Sequence, residues 1–136
     1  MKAKAAPDQK PLVIVVDDSV SILNSTKRLI RSFGFRPESF ASANEFFGSE
    51  LINECACLIL DVRMPCVDGL ELQRRLAETH PHIPIVFFTA HGSNEEQERA
   101  MTAGAVAFLR KPVTSEVLFH AIQNALRQNH RKSNEG

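Results

Sequence analysis

Three aspartates, one threonine and one lysine sit where apolar runs of this chain stop. Asp17 and Asp18 follow Leu12 to Val16, Asp61 follows Cys57 to Leu60, Thr89 follows Ile83 to Phe88, and Lys111 stands just past Ala105 to Leu109. If these exits share one edge of a sheet, the carboxylates repel one another and stay ionised together only beside a cation. Magnesium meets that need, being a hard ion that takes oxygen ligands in octahedral geometry, commonly one or two carboxylates with waters and a phosphate oxygen. A lysine ammonium neutralises phosphoryl oxygens, and a threonine hydroxyl donates a hydrogen bond to one. Such a set could bind or transfer a phosphoryl group with a metal's help. Read alone, Asp61 fits a helix cap or a loop salt-bridge partner as well as a reactive carboxylate.

The elements that must position these groups are legible as apolar runs and periodic stripes. Cys57-Leu58-Ile59-Leu60 enters Asp61 without polar alternation and is followed by the turn at Pro65, which suits the centre of a parallel sheet covered on both faces. In such sheets ligands lie beyond the carboxyl ends of the strands. Leu12 to Val16 is a second buried strand. From Ser19 to Phe33 the apolar positions Ile22, Leu29, Ile30 and Phe33 recur at helical spacing, and Gly34 supplies the stop. Phe35 to Phe40 reads as a strand at the sheet border, because Pro37 removes a ladder donor and Arg36 and Glu38 are charged.

Ser42 and Glu45 form a capping-box pattern that predicts a short helix through Leu51. Val67-Asp68-Gly69 leads into a helix carrying Leu70, Leu72, Leu76 and Ala77, closed by Thr79-His80-Pro81. Ser93 and Glu96 repeat the capping pattern ahead of a helix over Asn94 to Ala103, which has little apolar surface beyond Ala100 and Met101 and should be weakly held. A last helix from Thr114 carries Leu118, Ala121, Ile122, Ala125 and Leu126, before a polar tail from Asn129. Strands and helices alternate five times, the pattern of an α/β fold with a parallel sheet between helices.

At 136 residues the chain fits one domain, expected over 11–129, with flexible tails at 1–10 and 130–136. Lysine plus arginine equals aspartate plus glutamate at 16 each, so no overall field draws in nucleic acid or an anionic membrane surface. The amino end is basic but leads into no signal-peptide core, and no apolar run is of membrane length. Cys55, Cys57 and Cys66 are odd in number, which points to reduced thiols and a cytoplasmic setting.

Over about Pro11 to Asn129 the chain resembles a response-regulator receiver domain, the family of the chemotaxis regulator CheY. The matching pieces are the Asp17-Asp18 pair after the first strand, Leu-Asp-Val-Arg-Met-Pro around Asp61 with Asp68-Gly69 beyond it, Phe-Phe-Thr-Ala around Thr89, and Phe-Leu-Arg-Lys-Pro ending at Pro112. The resemblance implies a doubly wound five-stranded sheet in the order 2-1-3-4-5. It implies that Asp61 accepts a phosphoryl group from a phosphohistidine of a sensor kinase or phosphotransfer protein. Asp17, Asp18, Asp61 and the backbone carbonyl of Arg63 would hold magnesium, and Thr89 and Lys111 would bind phosphoryl oxygens. Phe108 would occupy the switch position where this family has an aromatic residue, acting with Thr89, and the Lys111–Pro112 bond would be cis. Arg63 and His91, two residues after Asp61 and Thr89, occupy positions that vary in the family and influence the lifetime of the phosphoryl group. Such a domain catalyses its own phosphotransfer and dephosphorylation, is no enzyme toward an external substrate, and binds neither nucleic acid nor membrane itself. Its expected readout is a partner or a phosphorylation-dependent homodimer on the 93–127 face. Ala-His-Gly after Thr89 and Ala-Gly-Ala before Phe108 resemble receivers of the FixJ type, which precede a DNA-binding domain; a stand-alone receiver is the other arrangement.

Two other functions share features of this pattern. A phosphohydrolase of the haloacid-dehalogenase type also uses a strand-end aspartate, but it wants a second aspartate where Arg63 stands. A flavodoxin-like cofactor binder needs phosphate-cradling loops rich in glycine, serine and threonine, whereas the first strand here exits onto acids. Several residues have plain readings beside the functional ones. His80 and His82 read as a solvent-exposed loop pair, His91 as an exposed loop histidine as readily as a proton carrier, and Cys66 as incidental. Phe108 alone reads as core, and Phe119 lies at the edge of the last helix's stripe, where it would pack or meet a partner.

Overall fold

A computed structural model describes residues 10–135, with side chains described through Asn129. The expected amino-terminal tail thus lies almost wholly outside the described residues. Five strands form one parallel sheet: β1 (Leu12–Val16), β2 (Arg36–Phe40), β3 (Cys55–Leu60), β4 (Ile85–Thr89) and β5 (Ala107–Arg110). Their order is β2-β1-β3-β4-β5, so the crossover reverses direction between β1 and β3 and opens a crevice there.

The unbroken apolar runs are explained by two cores, one on each face of the sheet. Alternate residues of β1 and β3 divide between them. Ile14, Leu58 and Leu60 join Phe46, Leu72, Leu76, Phe87, Ala100 and Phe108 on one face. Val13, Val15, Cys57 and Ile59 join Leu23, Ile30, Leu118, Ile122 and Ala125 on the other. The first core lies under α2 (Ala43–Phe47), α3 (Gly69–Thr79) and α4 (Asn94–Thr102), the second under α1 (Val20–Ser32) and α5 (Ser115–Glu135). Every residue of β2 is half-buried and the strand pairs only with β1, so Pro37 stands on the border as expected.

Several boundaries differ from those expected, among them β5, which runs Ala107–Arg110 rather than Ala105 to Leu109. The helix expected through Leu51 ends at Phe47, and a 3-10 turn over Glu50–Glu54 follows, because Ser49 opens a second cap by accepting from the Leu51 N–H. The Ser42 pattern is half realised: Ser42 accepts from the Glu45 N–H, but Glu45 reaches back to the Ala41 N–H. β4 starts at Ile85 rather than Ile83, since the ladder begins only where Ile85 faces Leu58, and it includes Thr89. α5 continues to Glu135, so the polar segment from Asn129 that was expected as a tail is helical. That segment contains neither proline nor glycine before Gly136 to break the hydrogen-bond ladder.

α4 is attached as its composition foretold. It buries Ala100 alone, while Met101 is exposed. Its start is well made, with Ser93 and Glu96 capping each other's amide groups.

Candidate functional site

Strand ends bring Asp17, Asp18, Asp61, Thr89 and Lys111 to one edge. The edge is stitched by backbone bonds past the last ladder residues: Asp17 N–H to the Phe40 carbonyl and Asp61 N–H to the Val16 carbonyl, both 3.2 Å, and Lys111 N–H to the Thr89 carbonyl at 2.8 Å. One carboxylate oxygen from each of Asp17, Asp18 and Asp61 lies within 4.8 Å of the others. Asp17 is buried, Asp61 half-buried and Asp18 exposed, so the cluster grades from sheet to solvent.

Lys111 reaches into this cluster from the β5–α5 connection, with Nζ 3.4 Å from Asp17 Oδ2 and 4.9 Å from the centroid of the Phe88 ring. The Lys111–Pro112 peptide bond is cis. Burial pushes the Asp17 carboxyl above its ordinary value; the Ser19 N–H, donating to Oδ1 at 2.9 Å, pulls it down, Asp61 adds to the rise, and Lys111 opposes it. Thr89 is fully buried, and its Oγ1 accepts from the His91 N–H at 3.3 Å.

The loop between β3 and α3 is shaped by close approach. A Cβ on Gly69 would overlap the Asp61 carbonyl oxygen and touch the Phe87 ring, so only glycine lets α3 start against the strand end. Asp68 caps that helix by accepting from the Glu71 N–H at 2.9 Å. Cys66 has φ 69°, an αL conformation uncommon outside glycine, asparagine and aspartate, and nothing in its sequence neighbourhood announced it. The three cysteines are free, Cys55 and Cys57 buried and Cys66 exposed.

Three carboxylate oxygens at this spacing fit a single hard cation. Octahedral magnesium places opposite oxygens about 4.2 Å apart. Asp17, Asp18 and Asp61 would hold such an ion, and its charge would offset the repulsion that Lys111 only partly relieves.

Of the other residues singled out from sequence, Phe108 is buried against Phe87, ring centroids 5.7 Å apart. Arg63 points away from the acidic cluster to pair with Glu96. His91 is exposed, and His80 and His82 lie in the α3–β4 connection with rings 6.2 Å apart. Phe119 packs internally on Phe33 and Phe35 at 5.1 and 6.1 Å. Gly92, Arg110 and the ion pair of Glu96 are not legible in the sequence, because their contacts form only across elements.

A five-stranded 2-1-3-4-5 sheet with an acidic cluster, a buried threonine and a lysine at its switch-point edge defines a class. The response regulator receiver domain family matches residues 13–123, and the chain belongs to it. It is therefore a receiver domain of the two-component response-regulator kind; receiver domains bind magnesium at an acidic pocket, and a cluster of Asp17, Asp18 and Asp61 is present here. Among its relatives, response regulator protein TmoT of Ectopseudomonas mendocina is 42% identical over 88% of this chain and 54% of its own length. The solved response regulator StyR superposes with a TM-score of 0.85 at 42% identity, covering 93% of this chain and 64% of that one. FixJ-N superposes with a TM-score of 0.78 at 32% identity, over 88% and 95% of the two chains. The chain spans about half the length of the curated relatives it matches. These relatives are response regulators, and neither the phosphohydrolase nor the flavodoxin reading is favoured by them. Among the described residues, no helix is long and apolar enough to cross a membrane.

Proposed function

We propose that Asp61 is the phosphoacceptor of a magnesium-dependent transfer from a phosphohistidine on a sensor kinase or phosphotransfer protein. The observation that carries this reading is the convergence of three carboxylates with Lys111 and Thr89 at one sheet edge. An Asp61 carboxylate oxygen forms a bond to phosphorus as the phosphorus–nitrogen bond breaks, and the electron pair returns to the imidazole. Asp17, Asp18, Asp61 and the Arg63 carbonyl would hold the ion, which when bound would neutralise charge on the transferring group. Lys111 pairs with one phosphoryl oxygen, and Thr89 donates its hydroxyl to another while still accepting from His91. In dephosphorylation a water oxygen takes the phosphorus and the carboxylate is restored. The free cysteines support a cytoplasmic setting.

Thr89 and Phe108 form the switch in this reading, and the output face runs over 93–127, where Met101 and Val117 are 40% and 44% exposed. Phe108 already lies inward, so the about 1.5–3 kcal/mol of burying its phenyl ring is realised in this conformation and is only part of the about 5.5 kcal/mol that turns a two-state equilibrium from mostly off to mostly on. Thr89 and Lys111 contacts and a partner or second protomer docking on this face supply the rest.

The test is to incubate the protein with magnesium and a small acyl phosphate and weigh it. One phosphoryl adduct is expected, labile in alkali or hydroxylamine, and absent without a divalent ion. Undiminished labelling of Asp61→Asn would overturn the assignment.

A further inference from the structure

α4 is fastened to the domain chiefly by polar contacts. Ala100 is its one buried side chain, and beyond the caps it is held by Gln73 Nε2 donating to the Ala100 carbonyl at 3.0 Å, the Arg63–Glu96 pair, and Arg110. Arg110 ends β5, where it faces Thr89 in the ladder. From there its Nε donates to the Gly92 carbonyl at 2.9 Å and its Nη2 to Asn94 Oδ1 at 3.0 Å. Its guanidinium carbon also lies 5.4 Å from the centroid of the Phe108 ring.

Gly92 lies directly on that ring. A Cβ at position 92 would overlap Phe108 Cε1 and Cζ and come within 3.1 Å of Thr89 Cγ2. Arg110 therefore straps down a loop that roofs Phe108, abuts Thr89, and begins α4. The ring cannot turn outward through Gly92 unless the loop lifts, and the loop cannot lift while its carbonyl and Asn94 are both held.

We propose that Arg110 is a positioning residue of the switch: by holding Gly92 and Asn94 it closes the 90–94 loop over the inward ring of Phe108. It thereby sets how readily Thr89 and Phe108 rearrange, a consequence that rests on the switch reading above, whereas the closure itself does not. The fork geometry matters, because a lysine at this position carries the charge but cannot serve both acceptors in the same plane.

Amide exchange, measured without phosphodonor on the parent, Arg110→Ala, Arg110→Lys, Asn94→Ala and the Arg110→Ala/Asn94→Ala double variant, tests the strap. A second readout is the fluorine signal of ring 108 in fluorophenylalanine-labelled protein, assigned by Phe108→Leu. In Arg110→Ala, exchange over 90–94 is expected to quicken at least about tenfold, since both hydrogen bonds of the strap are lost. The ring signal shifts toward its solvent-exposed position, Arg110→Lys falls between parent and alanine, and the two single changes are non-additive. Parent-like exchange and ring signal in Arg110→Ala would overturn the proposal, as would strictly additive single changes or an equal loss of protection in β3. Adduct formation on Asp61 is followed in parallel. A failed strap with labelling intact leaves the phosphoacceptor reading standing, and failed labelling with quickened loop exchange leaves the strap standing.

Discussion

Arg63 Nη2 lies 3.0 Å from Glu96 Oε1, the same oxygen that accepts the Ser93 N–H at 2.9 Å. The residue two places after Asp61 is thus tied to the cap of α4 through a single carboxylate. The Ser93 amide is the larger influence holding the Glu96 carboxyl below its usual value, and the Arg63 guanidinium adds to it. Because the pair is exposed on the arginine side, it contributes little to global stability.

Glu96 performs two jobs that substitution can separate. Glu96→Gln keeps a side chain able to complete the capping box and loses the ion pair, so it should cost no more than about 0.5 kcal/mol. Glu96→Ala loses both and should cost about 1 kcal/mol. Urea unfolding checks the difference; equal losses in the two variants would mean that the charge, not the cap, is what matters.

The acidic cluster makes its own prediction. Asp18 is exposed, so Asp18→Ala should leave folding intact while weakening magnesium binding more than any single change outside the cluster. Asp17→Ala should act in the same direction. Calorimetric titration with magnesium reads this, and a parent-like isotherm for either variant would remove the pair from the metal site.

Stability in acid has a distinct contributor on α3. Hydrogen bonds from Arg74, then Arg75, lower the Glu71 carboxyl from 4.5 to about 2. A carboxyl whose folded value is depressed stabilises the fold fully above its unfolded value and loses that contribution as pH falls toward the folded one. Glu71→Gln should therefore flatten part of the pH dependence of unfolding between about 4.5 and 2, measured by denaturant midpoints. The effect should shrink in high salt, since the group is exposed.

β1 and β3 were legible because their burial on both faces leaves no polar alternation to misread, and each stops on the aspartate that the site uses. The capping signals at Ser42 and Ser93 placed both helix starts, since a cap depends on residues three apart. Helix ends and the start of β4 were less legible: Ile83 and Pro84 continue the apolar run before Ile85, and only pairing with Leu58 separates ladder from approach. The strap of Arg110 on Gly92 and Asn94 was not readable, because those residues are 16 to 18 positions away and meet only once β5 lies beside β4. Cys66 in the left-handed region has the same character, a backbone state imposed by the closure of its loop.

That closure also limits how this chain can vary in length. The Gly69 N–H donates to the Val62 carbonyl at 2.8 Å while a Cβ at this position would overlap the Asp61 carbonyl, and Cys66 already occupies an unusual backbone state between them. The segment from Asp61 to Gly69 is a fixed-length clasp, in which one inserted or deleted residue would either rotate α3 by a good part of a turn or pull the strand end out of line. Insertions that lineages of this domain accumulate should fall instead in connections such as the exposed Pro81–His82 stretch, where no helix start is pinned to a strand end.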